Sequence, residues 1–163
     1  MKSIIIIFLA GCLWSGCYTF RGIDIPEDIN TFSVTPFENR AANVVPTMSV
    51  ALTEALKDKI RRESRLTFNG TDPDIIFNGA ISDYTVTAVA PKPGETTAFN
   101  QARLVLSIEF INTKDEKKNW KQNFSYLTNF PSSTNLLTVQ EQLLTEINDQ
   151  LTEDIFNKAF TNW

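Results

Sequence analysis

Histidine is absent from this chain of 163 residues. That absence removes the commonest general base and the commonest transition-metal ligand, and with them any Ser–His–Asp or Cys–His site. No Ser-x-x-Lys occurs, so a Ser–Lys hydrolase pattern is missing as well. Neither a glycine-rich phosphate loop nor a metal-ligand spacing is present. Cysteine is confined to Cys12 and Cys17. A leader that ends before Cys17 leaves a single cysteine in the mature chain, and disulfides are then excluded even where the compartment permits them. Positive charge is in deficit, with 15 Lys and Arg against 19 Asp and Glu. Such a balance suits nucleic-acid binding poorly, since that depends on neutralising phosphates. Catalysis, cofactor binding and metal binding all lack their residues, and we expect a non-enzymatic protein.

Long apolar runs are scarce, and the one that stands out opens the chain. Lys2 precedes Ile4–Leu13, an apolar run of about ten residues that is too short for the roughly 20 needed to span a bilayer. Trp14-Ser15-Gly16-Cys17 closes it with small residues before a cysteine. This is the pattern of a secretory signal peptide ending in a lipoprotein cleavage site. Leu9-Ala10-Gly11-Cys12 is the better local match to such a site, but cleavage there leaves a signal below the usual length. Cys17 gives a normal length and is the expected lipidation site. The expected boundaries are a signal peptide over 1–16, a lipidated N-terminus and tether over 17–30, and a single domain over 31–163. About 147 residues then remain, enough for one hydrophobic core.

The rest of the chain alternates between two periods. Thr31–Phe37 is rich in β-formers, and Pro36 marks its end or an edge. Glu38–Val45 reads as a loop. From Pro46, residues Met48, Leu52, Leu56 and Ile60 recur at helical spacing. Asp72-Pro73-Asp74 is a turn that explains its two carboxylates better than a metal site does. Ile75–Thr87 is a long strand whose alternation changes phase near Ser82-Asp83, the signature of a bulge. Pro91–Glu95 is an exposed hairpin loop. Ala102, Leu104, Leu106, Ile108 and Phe110 alternate with polar neighbours, and Trp120, Gln122, Phe124 and Tyr126 share one face of a third strand. Thr138-Val139-Gln140-Glu141 resembles a capping box. It opens a last helix with a stripe of Val139, Leu143, Ile147, Leu151, Ile155 and Ala159, opposite Glu146, Asp149, Glu153 and Lys158.

The expected fold is therefore α+β: a four-stranded mixed sheet with two helices on one face, in the order strand, helix, three strands, helix. The strand–helix–strand unit makes its two strands parallel, with the rest antiparallel. Two segments are candidates for binding. Lys57–Arg65 loads one helix end with cations, among them Arg61, Arg62 and Arg65, which suit a solvated helix end better than contact with anionic headgroups. The loop Pro91–Asn100 is long for a hairpin and carries Lys92 and Phe99. Phe99, Phe124, Phe130 and Phe160 include candidates for an exposed partner surface.

Several blocks carry a family resemblance. Cys17-Tyr18-Thr19-Phe20-Arg21-Gly22, Ile25-Pro26 and Phe37-Glu38-Asn39-Arg40-Ala41 resemble the start of the lipopolysaccharide-assembly lipoproteins (LptE-like), in the form found in Bacteroidetes-type bacteria. Pro46-Thr47, Leu52–Asp58, Phe77-Asn78-Gly79, Asp83-Tyr84 and the closing Gln150–Ala159 with Asn162-Trp163 continue the likeness. The resemblance implies a non-enzymatic plug within an outer-membrane β-barrel translocon, aiding its assembly and contacting lipopolysaccharide during export. It also implies a four-stranded sheet carrying two helices. It implies an anchor through Cys17 on the periplasmic side of the outer membrane, and Tyr18 in place of an aspartate agrees with release from the inner membrane. Lys92, Phe99, Arg61, Arg62 and Arg65 are the candidate contacts to the barrel or to lipopolysaccharide, with no cofactor and no nucleic acid. The alternative is a standalone periplasmic lipoprotein that binds a small molecule or scaffolds another envelope complex.

Overall fold

A computed structural model describes residues 22–43, 45–90 and 98–161. The signal segment, Cys17, Lys92 and Trp163 lie outside the described residues. The elements in order are β1 (Thr31–Val34), β2 (Glu38–Asn39), α1 (Met48–Glu63), β3 (Thr67–Phe68), β4 (Ile75–Val89), β5 (Phe99–Asn112), β6 (Trp120–Pro131) and α2 (Leu136–Phe160).

The sheet has six strands rather than the expected four. Its path runs β3-β1-β4-β5-β6, and β2 also pairs with β4. β1, β2 and β3 pair in parallel, while β4–β5 and β5–β6 are antiparallel. The two extra strands hold two residues each, too few for any alternation to show in the sequence. Pro36 lies between β1 and β2: the strand expected over 31–37 ends at Val34, and β2 falls within the expected loop over 38–45, both pieces lying along the same neighbour β4. The parallel pairing of β1 with β4 is as expected from the crossover.

β4 carries the expected bulge. Its register with β5 shifts between Ile81 and Asp83. Ile75, Phe77 and Ile81 before the shift, and Tyr84 after it, are all buried on one face. An extra residue at Ser82 restores the apolar slots to the core side. β5 needs no such device: Ala102, Leu104, Leu106, Ile108 and Phe110 are buried in strict alternation.

Both helices lie on that same apolar face. α1 contributes Met48, Leu52, Leu56 and Ile60 to the core, and α2 contributes Leu143, Ile147, Leu151, Ile155, Phe156 and Phe160. α2 starts earlier than its sequence suggests. Asn135 is the cap, extended at φ −70° and ψ 125°, and its side chain accepts the Leu137 N–H at 3.0 Å. Thr138 instead donates its hydroxyl to the Asn135 carbonyl, so the capping-box residues sit inside the first turn. Asparagine in that extended geometry outcompetes the threonine three residues on.

The helices are tied to each other by Lys59. Its ammonium meets Glu63 on its own helix and Glu153 on α2, so Glu153 belongs to the helix–helix seam rather than to a free surface. Burial works against the lysine charge, yet these carboxylates outweigh it and hold the ammonium above its ordinary range. The same contact, opposed by burial, holds Glu153 below the usual carboxylate range.

Candidate functional site

The strands define two ends. β4 has 15 residues, so the sheet is roughly 45 Å long at about 3.3 Å per residue. At one end are the β4–β5 hairpin, the start of α2 and the start of α1. At the other are the end of α1, the β5–β6 turn and the N-terminal segment. Ile23 bridges to Thr161, and the Asp24 N–H donates to the Phe160 carbonyl at 2.8 Å. Ile29 of the expected tether is fully buried in the core.

The sequence candidates separate between these ends. Phe99 opens β5 at the hairpin end, paired with Val89 on one side and Pro131 on the other. Val89, Phe99 and Leu127 are 40, 36 and 47% exposed. Strand parity puts them, with Pro131, on the sheet face that carries no helix. Val89, Phe99 and Pro131 form one apolar row across the hairpin end, while Leu127 stands two rows on, beyond the hydrogen-bonded Gln101 and Asn129, on a face that also holds Val105, Asn78, Arg103, Glu109 and Lys121. The sequence flags only Phe99. Val89 falls beyond the expected strand end at Thr87, and Leu127 reads as an ordinary strand residue until the register shows which side of the sheet it occupies.

Phe124, Phe130 and Phe160 do not belong to a partner surface, because all three are buried in the core. Phe68, by contrast, is 43% exposed, with Phe32 against its edge and the cations of Lys57 and Arg61 over its ring at 5.4 and 5.5 Å. No periodicity marks it, since β3 is only two residues long.

Arg61, Arg62 and Arg65 lie at the N-terminal end. Arg61 meets Asp58 at 3.4 Å. Arg65 donates to the Asn30 side chain at 2.9 Å and to the Pro26 carbonyl at 2.6 Å, fastening the chain before β1. Arg62 is exposed beside Ile23 and Ile25. Next to them, a cleft of about 440 Å³ is lined by Ile25, Ile29, Phe110 and Trp120, with Lys118 and Lys158 also on its wall.

Asp74 closes this end. Its carboxylate accepts the N–H groups of Asn30 and Thr31 at 2.8 and 3.0 Å and pairs with Lys114 at 2.9 Å. The backbone donors and the lysine hold its carboxyl far below the usual range. The Asp72-Pro73-Asp74 turn is therefore a clamp on β1, and no cluster of three or more potential metal ligands occurs among the described residues. No helix among them is long and apolar enough to cross a membrane.

The lipopolysaccharide-assembly family LptE matches residues 29–159. No curated protein matches the chain by sequence. Among solved structures, a minor lipoprotein from Acinetobacter baumannii aligns with a TM-score of 0.52 at 12% identity, over 79% of this chain and 91% of that one. Rare lipoprotein B from Shewanella oneidensis aligns with a TM-score of 0.50 at 11% identity, over 78% of this chain and 92% of that one. The hypothetical protein CT253 from Chlamydia trachomatis gives 0.53 at 5%, over 80% and 98%. At these identities the structures speak for the fold alone, and the family rests on the match over most of the chain. The chain belongs to the LptE family, non-enzymatic outer-membrane lipoproteins that serve lipopolysaccharide assembly.

Proposed function

We propose that this protein is the plug of an outer-membrane β-barrel translocon, anchored through a lipid on Cys17 with its domain on the periplasmic side, and that it supports lipopolysaccharide insertion. The observation that carries the reading beyond family membership is the bare sheet face. A domain with a full core on one face leaves Val89, Phe99 and Pro131 as an apolar row on the other, at the hairpin end, with Leu127 exposed further along beyond Gln101 and Asn129. Contiguous exposed apolar groups rimmed by polar residues mark partner surfaces. Lys92 belongs in sequence to the segment between β4 and Phe99 and is the cation we assign to the same partner.

Direct lipopolysaccharide contact is assigned to the cations Lys92, Arg61 and Arg62, which can meet phosphates by charge. Arg65 joins them through only part of its guanidinium, the rest being committed to Asn30 and Pro26. Depletion of the chain tests the role. The expected result is greater sensitivity to large hydrophobic antibiotics. An unchanged permeability barrier would instead favour a standalone envelope lipoprotein.

A further inference from the structure

The two edges of the sheet are built differently. One is broken into β1, β2 and β3, of four, two and two residues, with Pro36 between the first two. Short strands and prolines are among the devices that keep an edge from pairing with a foreign strand. The other edge is β6, twelve residues long, with no register shift against β5.

One bond fixes which β6 groups are open. The Ser132 N–H donates to the Ala98 carbonyl at 3.0 Å. Hydrogen-bonded and non-bonded pairs alternate along an antiparallel ladder. Even-numbered β6 residues thus turn their backbone toward β5, whereas Lys121, Asn123, Ser125, Leu127 and Asn129 turn theirs outward. Among the described residues those five N–H groups have no protein acceptor. The next outward position is Pro131, which has no N–H and ends the open ladder.

The flank of this edge has a charge. The Tyr126 hydroxyl donates to Glu146 of α2 at 3.3 Å, and Gln150 donates to Asp154 at 2.9 Å. Glu146, Gln150, Asp154 and Lys158 are spaced four apart and share one helix face, which the Tyr126 contact places beside β6, so the flank is acidic along the middle of the strand and basic only beside Trp120 at its start. Lys121 is the only cation within β6. A second copy paired on this edge would set the Glu146 and Asp154 rows against each other, and like charges so placed are repulsive.

We propose that β6 is a strand-docking edge that takes an extended segment of a second protein, bearing Lys or Arg on the side chains that turn toward α2. Its backbone completes the ladder at Lys121, Asn123, Ser125, Leu127 and Asn129, and its alternate cations meet Glu146 and Asp154. The proposal does not rest on the barrel reading, since any partner with such a strand fits.

The test is residue-resolved hydrogen–deuterium exchange on the full chain in detergent, with two synthetic peptides of about nine residues. Both alternate Thr and Val on one face; the other face carries Lys in one peptide and Glu in its control. The Lys peptide should slow the five outward amides by about tenfold or more, with little change at the even-numbered amides, already in the β5 ladder. Ser125→Pro removes one outward N–H and leaves the β5 ladder whole, so it should fold and lose that protection. Equal protection by both peptides, or none from the Lys peptide at millimolar concentration, overturns the proposal. So does protection that grows with protein concentration alone, which would make a second copy the occupant. A Ser125→Pro chain that fails to fold contradicts the ladder phase, and one that keeps full protection contradicts the edge.

Discussion

The Phe37 ring lies directly on Gly79: a Cβ at that glycine would stand 2.4 Å from two of the ring carbons. The ring has little room to retreat, because α1 holds its backbone from both sides. The Phe37 N–H donates to the Thr53 hydroxyl at 3.0 Å, and the Ser49 hydroxyl donates to the Phe37 carbonyl. Gly79 thus lets the link between β1 and β2 settle onto β4 at a point where a side chain would lift it. We expect Gly79→Ala to destabilise the fold by roughly 1–3 kcal/mol, the usual cost of overpacking. Thr53→Val keeps the volume but strands the buried Phe37 N–H, and should cost about 1–3 kcal/mol. Urea unfolding of both variants checks this; a Gly79→Ala chain as stable as the parent would contradict the contact.

Asp74 sets an acid dependence. Its carboxyl ordinarily titrates near 3.8, and the native contacts with Asn30, Thr31 and Lys114 push it far lower. A depressed native value contributes stability that is present above the unfolded value and lost as pH falls through the native one. The loss should therefore begin below about pH 3.8 and continue downward. Asp74→Asn should lower the melting temperature at neutral pH and flatten the curve below pH 4 relative to the parent. Parallel acid curves for the two proteins would show that the clamp does not form.

The orientation of α2 predicts a contrast along one helix. Leu151 is fully buried, whereas Leu137 is 79% exposed. Leu151→Ala should cost roughly 2–5 kcal/mol through the cavity it leaves. Leu137→Ala should stay within about 0.5 kcal/mol. Thermal melts that shift equally would mean the wrong face is packed on the sheet.

Much of this was legible in the sequence because the long elements bury one face each. The β4 bulge shows as a phase change, β5 as strict alternation and α2 as a stripe from Val139 to Ala159. What stayed hidden has a physical reason in each case. β2 and β3 are too short to carry a period, and they form because β4 and β1 offer open edges. The Asn135 cap does not show because Thr138 and Glu141 make a stronger sequence pattern, while the choice depends on how the chain leaves Pro131. Glu153 reads as a solvated charge, yet α1 places Lys59 against it. The apolar row needed the register: Phe99 alone is a common residue, and only the pairing with Val89 and Pro131 turns it into a surface. Arg65 reads as a free cation and is committed to Asn30 and Pro26 once the chain folds back over it.

Lipidation is testable independently of the fold. Cys17→Ala should abolish palmitate labelling and block maturation of the precursor, whereas Cys12→Ala should leave both intact. Labelling that survives in Cys17→Ala and disappears in Cys12→Ala would move the anchor to the earlier cysteine.

The central claim is that this protein seats against a β-barrel through the bare end of its sheet. Affinity purification of the full tagged chain from detergent-solubilised envelopes tests it most directly. The account predicts one β-barrel protein recovered at about a one-to-one ratio. It also predicts a severalfold lower yield from the double variant Phe99→Asp and Leu127→Asp, whose melting temperature should stay near that of the parent because both side chains are exposed. Recovery of the chain without any barrel protein would contradict the claim, and an unchanged yield from the folded double variant would remove this face from the contact.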